Sequence, residues 1–172
     1  MTDTPTETAE AVLEHPSVRL VAAALQAFGV RGQITVLDEA ARTARQAAAA
    51  LGIETGQIAN SLVFRAHHRD GTIRPLLVLT SGAHRVDTVK VADLLGLAAI
   101  SRADPGFVRD RSGFAIGGVP PLAHRTAPET LVDISLARYE TVWAAAGHPH
   151  AVFPTSYDEL LRLTGGQPAE VA

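Results

Sequence analysis

The chain has 172 residues, 47% of them hydrophobic and 19% charged, with a net charge of −3 and no cysteine. That length suits one domain with a sizeable core. The lack of cysteine excludes disulfides, a thiol nucleophile and thiolate metal sites, and the acidic balance argues against a protein that grips long nucleic acid by its phosphates. No apolar run approaches the roughly 20 residues of a membrane span. Met1 to Glu14 is polar and acidic, unlike a secretory signal, so a cytoplasmic location is expected.

Residues 1–16 read as a disordered tail, rich in Thr, Glu and Ala without an apolar period. Val18, Val21, Ala22, Leu25 and Phe28 follow helical spacing, with Ser17 as the expected cap and Gly29 as the stop. Gln33–Leu37 reads as a short strand. Thr43 and Gln46 form a capping-box pattern before a helix that Gly52 closes. Ile58–Ala66 and Arg74–Thr80 read as a hairpin through the turn Arg69-Asp70-Gly71. Asp87 caps a helix running to Leu95, and Ala98–Ser101 is a short strand. Pro105–Arg109 is a helical turn. Strands follow near Thr130–Ile134, Thr141–Ala145 and Ala151–Phe153. Ser156 and Glu159 make a second capping-box pattern, opening a helix with Tyr157, Leu160, Leu161 and Thr164 on one face. Helices and strands interleave irregularly around a hairpin, so a mixed sheet in an α/β domain is expected.

The chemistry-bearing signals are few. The chain has no phosphate-binding G-x-x-x-x-G-K-[ST] loop, no dinucleotide G-x-G-x-x-G and no G-x-S-x-G nucleophile elbow. His148 and His150 share a face if extended, but no third ligand lies near in sequence, so no metal site is read. Lys90 is the one lysine among 15 basic residues. The densest feature is Gly113-Phe114-Ala115-Ile116-Gly117-Gly118-Val119-Pro120-Pro121, a loop whose shape its main chain sets. Taken alone it is either a tight connection or a pocket wall, with His124 placed beside it.

Several stretches stand in a recognisable order: Ala47-Ala48 with Leu51-Gly52, Gln57 to Phe64, Arg85-Val86-Asp87 with Lys90, Ala103-Asp104-Pro105, the Gly113–Pro121 loop, Asp133, Gly147 and the last helix. Together they resemble the YbaK/EbsC family, relatives of the editing domain of bacterial prolyl-tRNA synthetase and of free-standing aminoacyl-tRNA deacylases. The resemblance spans about Val18 to Val171. It implies one compact mixed α/β domain over residues 17–172, with a curved, barrel-like mixed sheet and flanking helices. It also implies hydrolysis in trans of a wrongly attached small amino acid from the 3′ end of a tRNA. The implied catalytic residues are Asn60, Gly117 and Gly118. Substrate contacts fall to Ser61, Asp87, Lys90, Val119, Pro120, Pro121 and His124, with neither cofactor nor metal. The implied partners are the tRNA acceptor end, over a small area, and an aminoacyl-tRNA synthetase. Composition and spacing specify no oligomeric state.

One departure bears on activity. Family deacylases carry a lysine where this chain has Asn60, and the resemblance gives that lysine the terminal phosphate and adenosine end of the substrate. A charge-assisted hydrogen bond contributes roughly 1.5–3 kcal/mol against about 1 for a neutral one, so the exchange is expected to lower activity by about ten-fold or more, or to mark a different substrate. Lys90, Arg85 and Arg102 are the candidates to supply the charge. Pro120, where many relatives have serine, and Leu122-Ala123, in place of an apolar-glycine pair, reshape the same wall. A catalytically silent binding module for an aminoacyl-like ligand or a protein partner is therefore the alternative reading.

Overall fold

A computed structural model describes residues 8–30 and 32–172. The helices are α1 (Ala9–Glu14), α2 (Pro16–Ala27), α3 (Ala44–Leu51), α4 (Thr88–Leu95), α5 (Pro105–Ser112) and α6 (Tyr157–Thr164). The strands are β1 (Thr35–Val36), β2 (Ile58–His67), β3 (Ile73–Ser81), β4 (Ala99–Arg102), β5 (Glu129–Asp133), β6 (Val142–His148), β7 (Ala151–Thr155) and β8 (Gln167–Ala169). They form one mixed eight-stranded sheet in the order β1-β7-β6-β2-β3-β5-β8, with β4 pairing β2 as a branch.

The apolar run Leu76-Leu77-Val78-Leu79 makes β3 the centre of the molecule. Leu77 and Leu79 pack into one core with Val21 and Leu25 of α2, Phe114, Phe153 and Leu160. Leu76 and Val78 face the other, with Phe64, Val91 of α4 and Ile100. Burial on both faces explains why this strand is continuously apolar rather than alternating. A third, smaller cluster lies under α3, where Ala47, Ala48 and Ile58 pack against Trp143.

Side-chain caps set the helix starts. Thr43 Oγ1 accepts from Gln46 N at 3.2 Å, Asp87 Oδ1 from Lys90 N at 3.0 Å and Ser156 Oγ from Glu159 N at 3.1 Å. Neither capping box closes reciprocally. Gln46 Oε1 accepts from the Arg42 amide instead, and Glu159 Oε1 accepts from the Thr155 hydroxyl.

Three expectations are corrected here. The disorder read through residue 16 does not extend over Ala9–Glu14, a helix capped by Thr8 and held by Val12, which is fully buried in the main core. The part of that reading covering residues 1–7 lies outside the described residues. The cap of α2 is His15, whose Nδ1 accepts from Ser17 N at 3.2 Å, because Pro16 takes the first helical position. The helical turn at Pro105–Arg109 is longer than expected and runs to Ser112. The strand β8 has no sequence signal.

Candidate functional site

The site begins with a gap in the sheet. Gly82 N donates to Ile58 O at 2.8 Å, and His68 N donates to Thr72 O at 2.9 Å. With the antiparallel register of β2 and β3, the even-numbered residues of β2 therefore turn their main-chain groups to β3 and the odd-numbered ones to the opposite edge. On that edge β6 pairs only Ile58 and Ala59, and β4 begins at Phe64. Residues 60–63 have no strand neighbour there, and Ser61 sits in the opening with its main chain turned towards it. Its Oγ is buried and, among the described residues, has no hydrogen-bond partner.

Two contiguous cavities flank this opening, of about 370 and 340 Å³. They share Ser61, Leu62, Arg102, Ile116, Gly117 and Val119. The first is walled by Val63, Val86, Ala103 and Val108 and rimmed by Arg85. The second adds Asn60, Arg42, Trp143 and His148.

The glycine-rich loop is fixed from both sides. Gly113 ends α5 with φ at 85°, and Gly117 has φ at 98° with the Arg42 side chain against it. A Cβ on Gly118 would lie 2.8, 2.9 and 3.0 Å from the backbone N, Cα and C of His148. Glycine there lets the loop lie directly on the β6–β7 turn.

The structure thus brings Asn60, Ser61, Gly117 and Val119 to one opening. It places the other expected residues elsewhere. Gly118 N donates to Ala115 O at 3.2 Å and lines neither cavity, so its role there is close packing. Asp87 is engaged as the cap of α4. Lys90 turns away: its Nζ donates to Ala172 O at 2.9 Å and lies 3.4 Å from Glu170 Oε1. Pro121 and His124 line a separate cavity of about 290 Å³ with Ala24, Phe28 and Leu163. Pro120 is buried, and its carbonyl accepts from His124 Nε2 at 2.6 Å. Among the described residues no three His, Cys, Asp or Glu side chains converge to hold a metal, and no helix is long and apolar enough to cross a membrane.

Burial holds His124 below the ordinary imidazole value, against a smaller opposing effect of the Pro120 carbonyl. The folded state disfavours the imidazolium, so this residue's contribution is fully present above the ordinary value of 6.5 and is lost as pH falls through the depressed folded value. Urea melts at about pH 7.5 and about pH 5 should show lower stability in acid. His124→Gln should shrink that difference, and an unchanged difference counts against it.

Sequence reasoning missed Arg42 and Trp143. Arg42 precedes α3 and reaches Gly117 only through the tertiary fold. Trp143, the chain's single tryptophan, is half-buried on the less buried face of β6, which it shares with Ala145; its being the one tryptophan is the available signal.

A profile of the aminoacyl-tRNA editing domain matches residues 38–163. The uncharacterized protein YwhH of Bacillus subtilis is 31% identical over 127 residues, covering 74% of this chain and 78% of that one. A proline–tRNA ligase of Limosilactobacillus fermentum is 31% identical over 93 residues, 54% of this chain but 16% of the ligase. A crystal structure described as a candidate trans-editing enzyme for prolyl tRNA synthetase superposes with a TM-score of 0.82 at 43% identity, covering 91% of this chain and 96% of that one. The hypothetical protein APE2540 gives 0.79 at 26% identity, over 88% and 98% of the two chains.

Proposed function

The chain belongs to the aminoacyl-tRNA editing domain family, and from that premise we propose that it is a trans-acting deacylase, hydrolysing the ester between a small, wrongly attached amino acid and the 3′ end of a tRNA. The observation that carries this reading is the opening in β2, where Ser61 and Gly117 both line two cavities of small-substrate size. An aminoacyl ester is already activated, so no strong nucleophile is required. Holding its carbonyl on main-chain donors, and a water at attacking distance, supplies the needed positioning and charge stabilisation. The vicinal ribose hydroxyl of the substrate is a ready partner for that water. The Val63, Val86 and Val108 walls select by size, which discriminates by roughly 1–3 kcal/mol per methylene.

The test is a panel of alanyl-, cysteinyl-, seryl- and prolyl-tRNAs incubated with the purified protein. At least one should lose its amino acid well above the spontaneous rate, and survival of all of them at that rate overturns the reading. The neutral Asn60 at the cavity favours a second reading, a binding module without catalysis. Tight binding of an uncharged aminoacyl-like ligand, with no deacylation by the wild type or by Asn60→Lys, selects that alternative.

A further inference from the structure

We infer that Arg42, Arg85 and Arg102 form a phosphate-binding rim, centred on Arg102, that holds the phosphodiester next to the 3′-terminal nucleoside of an RNA. The identity of the ligand as an RNA end rests on the reading just proposed; the rim itself rests on the following geometry.

Three arginines from three separate segments meet at the two cavities, and no Asp or Glu lines either one. Arg42 precedes α3, Arg85 lies between β3 and α4, and Arg102 ends β4. All three are exposed, and among the described residues none has an ion-pair partner. Arg65, by contrast, is tied to Asp104 at 2.8 Å. A local cluster of three positive charges without a carboxylate stands out on a chain of net charge −3. Arg102 lines both cavities and pairs with Phe64, the residue that bounds the open stretch of β2.

Charge decides which part of a substrate this rim meets. The amino acid of an aminoacyl ester carries an ammonium group and no anion, so three guanidinium groups repel it. The anionic part is the phosphodiester on the 5′ side of the terminal nucleoside, and a guanidinium fork matches its paired oxygens. The walls of the first cavity are left to the apolar side chain. An acidic protein thus touches a nucleic acid over one small area.

Trp143 in the second cavity supplies a readout separate from catalysis. The probes are the trinucleotide cytidylyl-cytidylyl-adenosine and adenosine, which has no phosphate, followed by tryptophan fluorescence over a salt series. The trinucleotide should bind, and Arg102→Ala should weaken it by about ten-fold. The same change should flatten the dependence of log K on log salt by about 0.7, one single-strand phosphate contact. Adenosine should bind both proteins alike. Because Asn60 lines the same cavity, Asn60→Lys added to Arg102→Ala should restore most of the lost affinity. The inference falls if the wild type does not bind the trinucleotide, if Arg102→Ala binds it unchanged, if trinucleotide and adenosine weaken together, or if lysine at position 60 restores nothing. Arg102-dependent binding beside a silent tRNA panel leaves the rim standing and removes the deacylase reading; the reverse pattern removes the rim alone.

Discussion

Gly118→Ala should cost this protein about 1–3 kcal/mol of stability and most of its function, although it adds a single methyl group. The new Cβ would meet three backbone atoms of His148 at 2.8–3.0 Å, and backbone has no rotamer with which to yield. Overpacking of this kind costs about 1–3 kcal/mol, or roughly 2–10 °C of melting temperature at this chain length. The loop is held on its other side by Arg42 against Gly117, so relief requires moving Gly117 relative to Ser61. A displacement of about 1 Å at a reacting centre is worth on the order of a hundred-fold in rate. Gly29→Ala is the control. Unlike Gly118 it has a positive φ, 70°, and open space around its Cβ, so it reports backbone strain alone, where Gly118→Ala reports the clash alone. Thermal melts and deacylation rates of the two variants check the argument. A Gly118→Ala protein that melts and reacts like the wild type would show that the loop does not rest on the β6–β7 turn.

What is legible in the sequence is what local forces decide. Thr43, Asp87 and Ser156 announce helix starts because a side-chain oxygen satisfies amides within three residues. The Leu76–Leu79 run announces a strand, and the glycine-rich loop announces a main-chain feature. The opening in β2 is of another kind. It exists because β6 leaves that edge at Ala59 and β4 arrives at Phe64, two pairings with partners 85 and 38 residues away in sequence. No window of sequence carries that information. Lys90 shows the converse error: its chemistry is legible, but its direction depends on a C-terminal segment that pairs through β8, a strand too short to read. Asn60 reads as a departure from the family pattern on residue identity alone. That Arg42, with no local signal, flanks the same cavity follows only from packing at Gly117.

The largest stability effect should come from Asp133→Ala. This carboxylate is 1% exposed and serves four donors. Oδ2 accepts from Ser81 N at 2.9 Å, from His84 Nδ1 at 2.9 Å and from the Thr80 hydroxyl at 3.4 Å. Oδ1 accepts from Ser135 N at 2.9 Å. Together these bonds join the end of β3, the turn towards α4 and the 3-10 turn after β5. Alanine removes the acceptor and leaves the buried Ser81 amide unpaired, and each such orphan costs roughly 1–3 kcal/mol. The expected loss is about 3–5 kcal/mol, or on the order of 6–20 °C in melting temperature. Asp133→Asn keeps one oxygen for Ser81, His84 and Thr80 but turns an N–H₂ towards the Ser135 amide. Its loss should therefore fall between wild type and alanine. His84→Ala should cost least, because His84 is 31% exposed and its removal leaves the carboxylate three donors. That order, alanine worst and His84→Ala mildest, separates a satisfied buried acceptor from a simple ion pair, which would make the two alanine variants equivalent. The segment secured by Asp133 also carries Arg85 and Val86 to the first cavity, so trinucleotide affinity should fall with stability in Asp133→Asn. A variant that melts lower yet binds unchanged would mean that the turn keeps its place without the carboxylate.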